Sequence, residues 1–346
     1  MSERGPAVVD RVTSASWDGP APAIAALVTT YGRAGFLKEL VACLEAQDLP
    51  DDEVELVLVD NGSTDDTWST LSALVAASPR RALALRLDRN AGPAPGRNAG
   101  AREVRAPLLA ITDDDCLPTP RWLREMRRAF DTGADVVQGA VLPDPADLPG
   151  MGPWDHTKWV RRPTPFYETC NVGYRRSAFE RAGGFDEHDP LLHPPSGRAF
   201  GEDACLAWEV QRTGGAAAFA SRALVHHRCI PSDYRRWLAD QSELAGFPGL
   251  ARRSPLVARW LHRGVFLDGR SARFDLALAG VVTAAVTRRP LVALAGLPWL
   301  RWRVNHARRF RTGLGVVPLL GQLAWSDAVA FAAMARGSVR HRRLVL

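Results

Sequence analysis

Three carboxylates stand side by side at Asp113, Asp114 and Asp115, directly after the short apolar run Leu108 to Ile111. Carboxylates this close raise one another's pKa unless a cation neutralises them. Hard oxygen ligands at a strand end suit Mg²⁺ or Mn²⁺, and such an ion in turn grips a phosphate group. The competing reading is a solvated acidic turn ahead of a helix that starts near Pro120. A second acidic pair, Glu202-Asp203, follows Gly201 at the start of a helical stretch reaching Glu209. Acids in that position also serve the helix dipole.

These groups need a scaffold, and the chain alternates strand-like and helix-like segments ahead of them. Ile24 to Thr30 reads as a buried strand, apolar on both faces and too short for a helix. Phe36, Leu37, Leu40, Val41 and Leu44 then follow with helical spacing. Val54 to Val59 is a second strand ending at Asp60, and a helix through Trp68, Leu71 and Leu74 leads to a third, Ala82 to Leu87. A helix opens at Gly92 to Asn98, and Leu108 to Ile111 is the fourth strand. This alternation predicts βαβ units and a mainly parallel sheet with helices on both faces, an α/β fold. Ligands of such sheets lie beyond the carboxyl ends of the strands, which puts Thr29 to Tyr31, Asp60 and Asp113 to Asp115 on one rim. No strand–helix turn carries GxGxxG or GxxxxGK[ST], so a metal rather than a glycine-rich loop would have to hold phosphates.

Further strands are expected at Asp135 to Val141, Asn171 to Arg176 and, last of them, Ala216 to Ala220, with Ala223-Leu-Val-His-His227 following it. Ser177 is the expected cap of a helix over Ala178 to Ala182. Leu142 to Pro165, with six prolines, and Pro190 to Ala199 read as irregular loops.

Bulk properties bound the classes available. With 346 residues, 46% hydrophobic and 24% charged, the chain can bury a full core and is not broadly disordered. Residues 1–22 read as a flexible lead-in, and Glu3, Asp10 and Asp18 without an apolar run argue against a signal peptide. Cysteines 43, 116, 170, 205 and 229 form no CxxC pair and fit a reducing compartment. The total charge of +6 is uneven: from Pro231 onward stand 19 Arg, no Lys and 6 acids, a net of +13. An acidic front and a basic, apolar tail imply different partners.

The front resembles a family 2 glycosyltransferase with the GT-A fold. The resemblance is carried by Leu27-Val-Thr-Thr-Tyr31 with Arg33, Val59-Asp-Asn-Gly-Ser63, Gly96-Arg-Asn-Ala-Gly100 and Thr112-Asp-Asp-Asp-Cys-Leu-Pro-Thr-Pro-Arg-Trp-Leu123. Asn171 to Arg176, Gly183-Gly-Phe-Asp186 and Gly201-Glu-Asp203 continue it, over some 200 residues. The resemblance implies a catalytic domain at 23–230, with a donor half to about 118 and an acceptor half beyond. It implies a nucleotide-diphosphate sugar donor, a hydroxyl acceptor, a divalent cation (Mg²⁺ or Mn²⁺) and inversion at the anomeric carbon. Thr29, Tyr31 and Asp60 would meet the nucleotide base, and Arg97 would sit over the nucleotide. Asp113 would lie toward the ribose and the cation, Asp115 on the cation, with Asp114 between them. Asp203 would be general base and Glu202 its orienting partner, while His226 or His227 would reach the metal or diphosphate.

The tail, 231–346, reads as helices. Its apolar runs Leu276 to Val286, Leu291 to Leu300 and Leu314 to Trp325 each fall short of the roughly 20 residues that span a bilayer. Basic segments such as Arg301-Trp-Arg303 fit helices in the interface of an anionic membrane; a packed helical subdomain or dimer partner fits too. No nucleic-acid motif accompanies the arginines. The expectation is a cytoplasmic enzyme, peripheral at the inner face of the cell membrane, acting on a lipid-linked or envelope glycan or on a natural product. A nucleotidyltransferase and a non-catalytic sugar or lipid-carrier binding protein are the rival classes.

Overall fold

A computed structural model describes residues 5–189 and 200–346; the loop expected at Pro190 to Ala199 lies outside them. The chain forms two compact units, Met1–Pro149 with Thr157–Cys229, and Gly150–His156 with Ile230–Leu346.

The first unit holds one nine-stranded sheet: β1 (Val8–Thr13), β2 (Ile24–Thr30), β3 (Val54–Asp60), β4 (Arg81–Leu87), β5 (Leu108–Asp113), β6 (Cys116–Pro118), β7 (Val136–Pro143), β8 (Val172–Arg175) and β9 (Ala217–His227). Its order is β1-β4-β3-β2-β5-β8-β7-β9-β6. The helices are α1 (Ala34–Glu45), α2 (Thr67–Ala77), α3 (Pro93–Glu103), α4 (Trp122–Asp131), α5 (Arg176–Arg181) and α6 (Glu202–Arg212). The strands β4, β3, β2 and β5 run parallel, as their apolar runs predict. The sheet as a whole is mixed rather than mainly parallel, because β1, β6 and β8 all pair antiparallel. Leu37, Leu40 and Leu44 of α1 and Trp122, Met126 and Phe130 of α4 fill the core on one face.

Register aligns the chemistry. Thr29 stands opposite Asp113 and Thr30 opposite Asp60, so the ends of β2, β3 and β5 form one rim. The start of β5 is fixed by Glu55, wholly buried, which accepts from the backbone N–H groups of Arg105 (2.7 Å) and Ala106 (2.8 Å). Gly100 lets α3 close onto the sheet, since a Cβ there would meet Leu27 Cδ1 at 2.3 Å.

Several expectations are corrected. The lead-in is not wholly unstructured, because Val8–Thr13 adds an edge strand to β4; Val8 and Val9 face solvent, so backbone pairing holds it without an apolar pattern. Ser177 does not cap α5, whose first residue is already Arg176. The short strand expected at Ala216 to Ala220 runs on to His227 as one strand, β9, with a bulge opposite Gly139 and Ala140. Residues 150–156 join the second unit, where Trp154 packs on Tyr234 (ring centroids 4.9 Å apart) and Trp237 (5.8 Å).

The second unit is helical: α7 (Tyr234–Glu243), α8 (Phe247–Arg253), α9 (Pro255–Trp260), α10 (Gly269–Thr287), α11 (Leu297–Ala307) and α12 (Val316–His341). Leu319, Leu323, Ser326, Ala330, Ala333 and Gly337 form a buried stripe of alternating three- and four-residue steps along α12. Asp327 in that helix is buried against Arg303 and accepts from Trp299 Nε1 at 2.9 Å. The run Leu314 to Trp325 thus continues into a helical segment, Gly313–His341, long and apolar enough to cross a membrane by length and composition. Its buried stripe and its Arg303–Asp327 pair pack one side of α12 into this unit, while only 33% of its most apolar stretch is buried.

Candidate active site

The turn between β5 and β6 carries the acidic triplet, and each of its carboxylates meets a different partner. Asp113, last in β5, accepts from Arg97 Nη2 at 2.9 Å. Arg97 comes from the buried N-terminal half of α3, and its Nη1 donates to Glu202 Oε1 at 3.2 Å. A chain Asp113–Arg97–Glu202 therefore ties the first turn of α6 to the end of β5. Asp114 and Asp115 share a second arginine: Arg33 Nη1 donates to Asp114 Oδ1 (2.9 Å) and Asp115 Oδ2 (2.6 Å). Its single charge offsets part of that of Asp114 and Asp115, as Arg97 does for Asp113.

The electrostatics follow from this arrangement. Burial pushes Asp114 up to about 6, although Arg33 opposes it. Burial alone would raise Asp115 as well, but His227 and Arg33 outweigh it and hold that carboxyl below its ordinary value. Asp203 goes the other way. Part of its surface is open, yet burial of the carboxylate, then Glu202 and Glu168, push it well above the ordinary carboxylate range; Ala204 N–H and Arg97 only partly offset this.

His227 is the histidine of the site. Alternation along β9 turns it and His226 to opposite faces, and His226 Nδ1 lies 3.4 Å from Pro143 O. His227 Nε2 lies 3.6 Å from Asp115 Oδ1, and its Nδ1 is 2.7 Å from the carbonyl of Arg228. A carbonyl only accepts, so Nδ1 donates there, and Nε2 faces Asp115. Asp115, Cys116 and His227 bring ligand atoms within 4.8 Å of one another. Burial raises the Cys116 thiol well above its ordinary value, and hard cations such as Mg²⁺ and Mn²⁺ prefer oxygen and nitrogen to sulfur. What remains is one carboxylate oxygen and one imidazole nitrogen, an open set that suits a divalent cation sharing its other positions with phosphate and water.

Asp60 departs from expectation. It is fully buried, with Oδ1 accepting from Ser63 N–H at 3.0 Å and Oδ2 lying 3.6 Å from Arg86 Nε without a hydrogen bond. Ser63 Oγ in turn accepts from Gly32 N–H at 2.9 Å, so Asp60 organises the loops after β2 and β3. Gly62 makes that turn possible, with φ of 75° and the Arg89 backbone 2.5 Å from where a Cβ would stand. Tyr31 stands half exposed on this rim, and Thr29 lies under the N-terminal turn of α3.

Four contributors escaped the sequence reading of roles: Arg33, Arg86, Glu168 and Lys158. Lys158 lies in the field of Cys170, Glu168, Asp203 and Asp113, which outweighs its burial and raises its pKa. It makes no ion pair within 4.0 Å among the described residues. The available signal was compositional, because the chain has only two lysines, Lys38 and Lys158, beside 42 arginines.

Comparison with known proteins bears on this arrangement. Residues 25–183 match the family described as Glycosyl transferase family 2. The chain is 30% identical over 220 residues to the succinoglycan biosynthesis protein ExoO of Rhizobium meliloti, covering 60% of this chain and 61% of that one. It is 28% identical over 121 residues to the glycosyltransferase AglE of Haloferax volcanii, covering 35% and 40%. It thus spans less than two thirds of the length of these relatives. The mannosyltransferase PcManGT of Pyrobaculum calidifontis, solved with GDP-Man and Mn²⁺, superposes with a TM-score of 0.55 at 17% identity, over 92% of this chain and 87% of that one. The fold is GT-A.

Proposed function

We propose that this chain, whose residues 25–183 form a domain of glycosyl transferase family 2, transfers a sugar from a nucleotide-diphosphate donor to a hydroxyl acceptor with inversion. The observation that carries this reading is the Asp113–Arg97–Glu202 chain, which fixes the base-bearing turn of α6 against the donor rim. Asp203 is the general base. It takes the proton from the acceptor hydroxyl as that oxygen attacks the anomeric carbon and the nucleoside diphosphate departs from the opposite face. A carboxylate of raised pKa suits this task, because its affinity for the proton is greater than that of an ordinary aspartate. Glu202, held by Arg97, orients the turn.

On the donor side, Tyr31 offers a half-exposed ring to the base and Thr29 a hydroxyl at the rim. Asp60 acts from beneath: its Oδ2, ion-paired with Arg86 but without a hydrogen bond, is the atom available to a donor N–H once that arginine moves. Arg97 and Asp113 would flank the ribose, and Asp114 sets the field around Asp115. Asp115 and His227 would hold a divalent cation, which when bound supplies positive charge for the departing diphosphate. His226 has no part in this reading, since it faces away. We read the acceptor as an envelope or lipid-linked glycan at the inner face of the membrane, ahead of a small natural product; a relative named for succinoglycan biosynthesis supports a glycan, and relatives named as validoxylamine A glucosyltransferases support the natural product.

The test is a panel of nucleotide-diphosphate sugars assayed for thermal stabilisation and for release of nucleoside diphosphate. A true donor raises Tm by mass action and is turned over. If no member of the panel does either, with or without Mn²⁺, the proposal fails.

A further inference from the structure

The hairpin made by α10, the 3₁₀ segment Pro290–Gly296 and α11 is built inside out. Its internal contact line uses small residues. A Cβ on Gly280 would stand 2.9 Å from Ala295 Cβ and 3.0 Å from Val292 O, and one on Gly296 would stand 3.4 Å from Ala277 Cβ. The large apolar side chains point outward instead: Val286 is 78% exposed and Leu291 77%, while Val281, Val282, Leu294 and Leu297 are each more than half exposed. A soluble hairpin would put its valines and leucines at the contact line. Small residues inside and large apolar ones outside suit a non-aqueous neighbour. The pattern is concentrated: among the described residues, eleven of nineteen exposed large apolar side chains fall between Leu276 and Trp325.

Charge chooses among the neighbours that could cover this face. Between Leu276 and Trp325 the sequence has seven arginines and no acidic residue. Arg288 and Arg289 stand exposed at the bend, directly between Val286 and Leu291. A second copy of this chain would bring arginine against arginine. A phospholipid surface offers phosphates at the level of the guanidinium groups and hydrocarbon just beneath.

We propose that the α10–α11 hairpin docks this chain on an anionic phospholipid bilayer, lying along the interface with its outward valines and leucines in the acyl boundary and Arg288 and Arg289 on the headgroup phosphates. This inference is independent of the catalytic reading. The test uses the full chain in flotation with phosphatidylcholine vesicles, with and without phosphatidylglycerol. Two variants accompany it, one with Val282→Ser, Val286→Ser and Leu291→Ser, the other with Arg288→Glu and Arg289→Glu. All five positions are exposed, and circular dichroism melts check that the fold is kept. The wild type should float only with phosphatidylglycerol, and each variant should lose at least about tenfold in partitioning, since both apolar insertion and charge contribute. Absence of flotation by the wild type overturns the proposal, as does serine-variant flotation equal to wild type. A dimer in sedimentation that the serine variant abolishes, with no vesicle binding, would assign the face to a second copy and also overturn it.

Discussion

Replacing Arg97 by methionine isolates the contact on which the site's architecture rests. The guanidinium is 7% exposed and bonds Glu202, 8% exposed, at 3.2 Å and Asp113, 29% exposed, at 2.9 Å. Removing one partner of a buried ion pair costs roughly 3–5 kcal/mol, because the other charge is left without compensation. The Glu202 side of the contact is such a case. The more open Asp113 side is screened and adds less than about 1 kcal/mol. Methionine keeps part of the packing on Phe185, over whose ring the guanidinium now lies at 5.6 Å, so the expected net loss is about 3–4 kcal/mol. That is a large share of a typical folding free energy. Glu202→Gln alone leaves Arg97 its bond to Asp113 and should cost about 1–2 kcal/mol. The double variant should cost less than the sum by about 2 kcal/mol, since it removes the stranded charge together with its partner. Urea unfolding followed by tryptophan fluorescence, with midpoints compared at constant m, reads these differences. Additivity within about 0.5 kcal/mol would mean that Arg97 and Glu202 do not interact, and the fixed link between α6 and β5 would be refuted.

Other expectations follow from single groups. Lys158→Met removes a cation from the field of Asp203, beside Glu202, Glu168, Arg97, Tyr174 and Cys205; it should move the acid limb of kcat/KM to higher pH, and Lys158→Arg should restore it, whereas an unmoved limb would deny the coupling. Both carboxylate oxygens of Asp275 are buried without a hydrogen bond, and burial with Asp327 nearby pushes its pKa up to about 6. Its folded state therefore holds the proton more tightly than the unfolded chain, so its contribution to stability is present at low pH and is lost as pH rises through about 6. Asp275→Asn should accordingly stabilise the chain by about 1 kcal/mol at pH 8, after discounting for partial exposure, and by much less at pH 4.5, as thermal melts would show. Gly100→Ala should cost about 1–3 kcal/mol in urea unfolding, because the new methyl meets Leu27 Cδ1 at 2.3 Å and Val59 Cγ2 at 2.9 Å; a neutral result would mean that α3 does not seat so closely.

Much of the fold between β2 and β5 was legible because burial and period coincide there. The strands β2 to β5 are short, mostly apolar runs, and the carboxylates at the ends of β3 and β5 can fall only on one rim. What was illegible depended on groups with no pattern of their own. β1 is held by backbone pairing with its valines in water, so no alternation marks it. Asp60 was readable as an acid at a strand end, but its complete burial beneath Arg86 is set by a residue on another strand. The choice between His226 and His227 required the register of β9 against β6, which fixes the facing of each ring. Arg33 reaches the triplet from a segment far away in sequence, one arginine among 42, and Lys158 stands out as one of two lysines but its neighbours are set only by the fold. The tail's apolar runs were visible, but their inverted packing was not, because a valine that faces outward reads the same as one that faces in.

The most direct test of the central claim is the pH profile of sugar transfer by the wild type and Asp203→Asn, with the anomeric configuration of the product followed by NMR. The account predicts an inverted product and an acid limb above the ordinary carboxylate range, since activity needs Asp203 deprotonated and its pKa is raised. It also predicts that Asp203→Asn keeps donor binding but loses transfer by about 10²–10⁴-fold, the usual contribution of a general base. A retained configuration, or an Asp203→Asn variant with wild-type turnover, would contradict it.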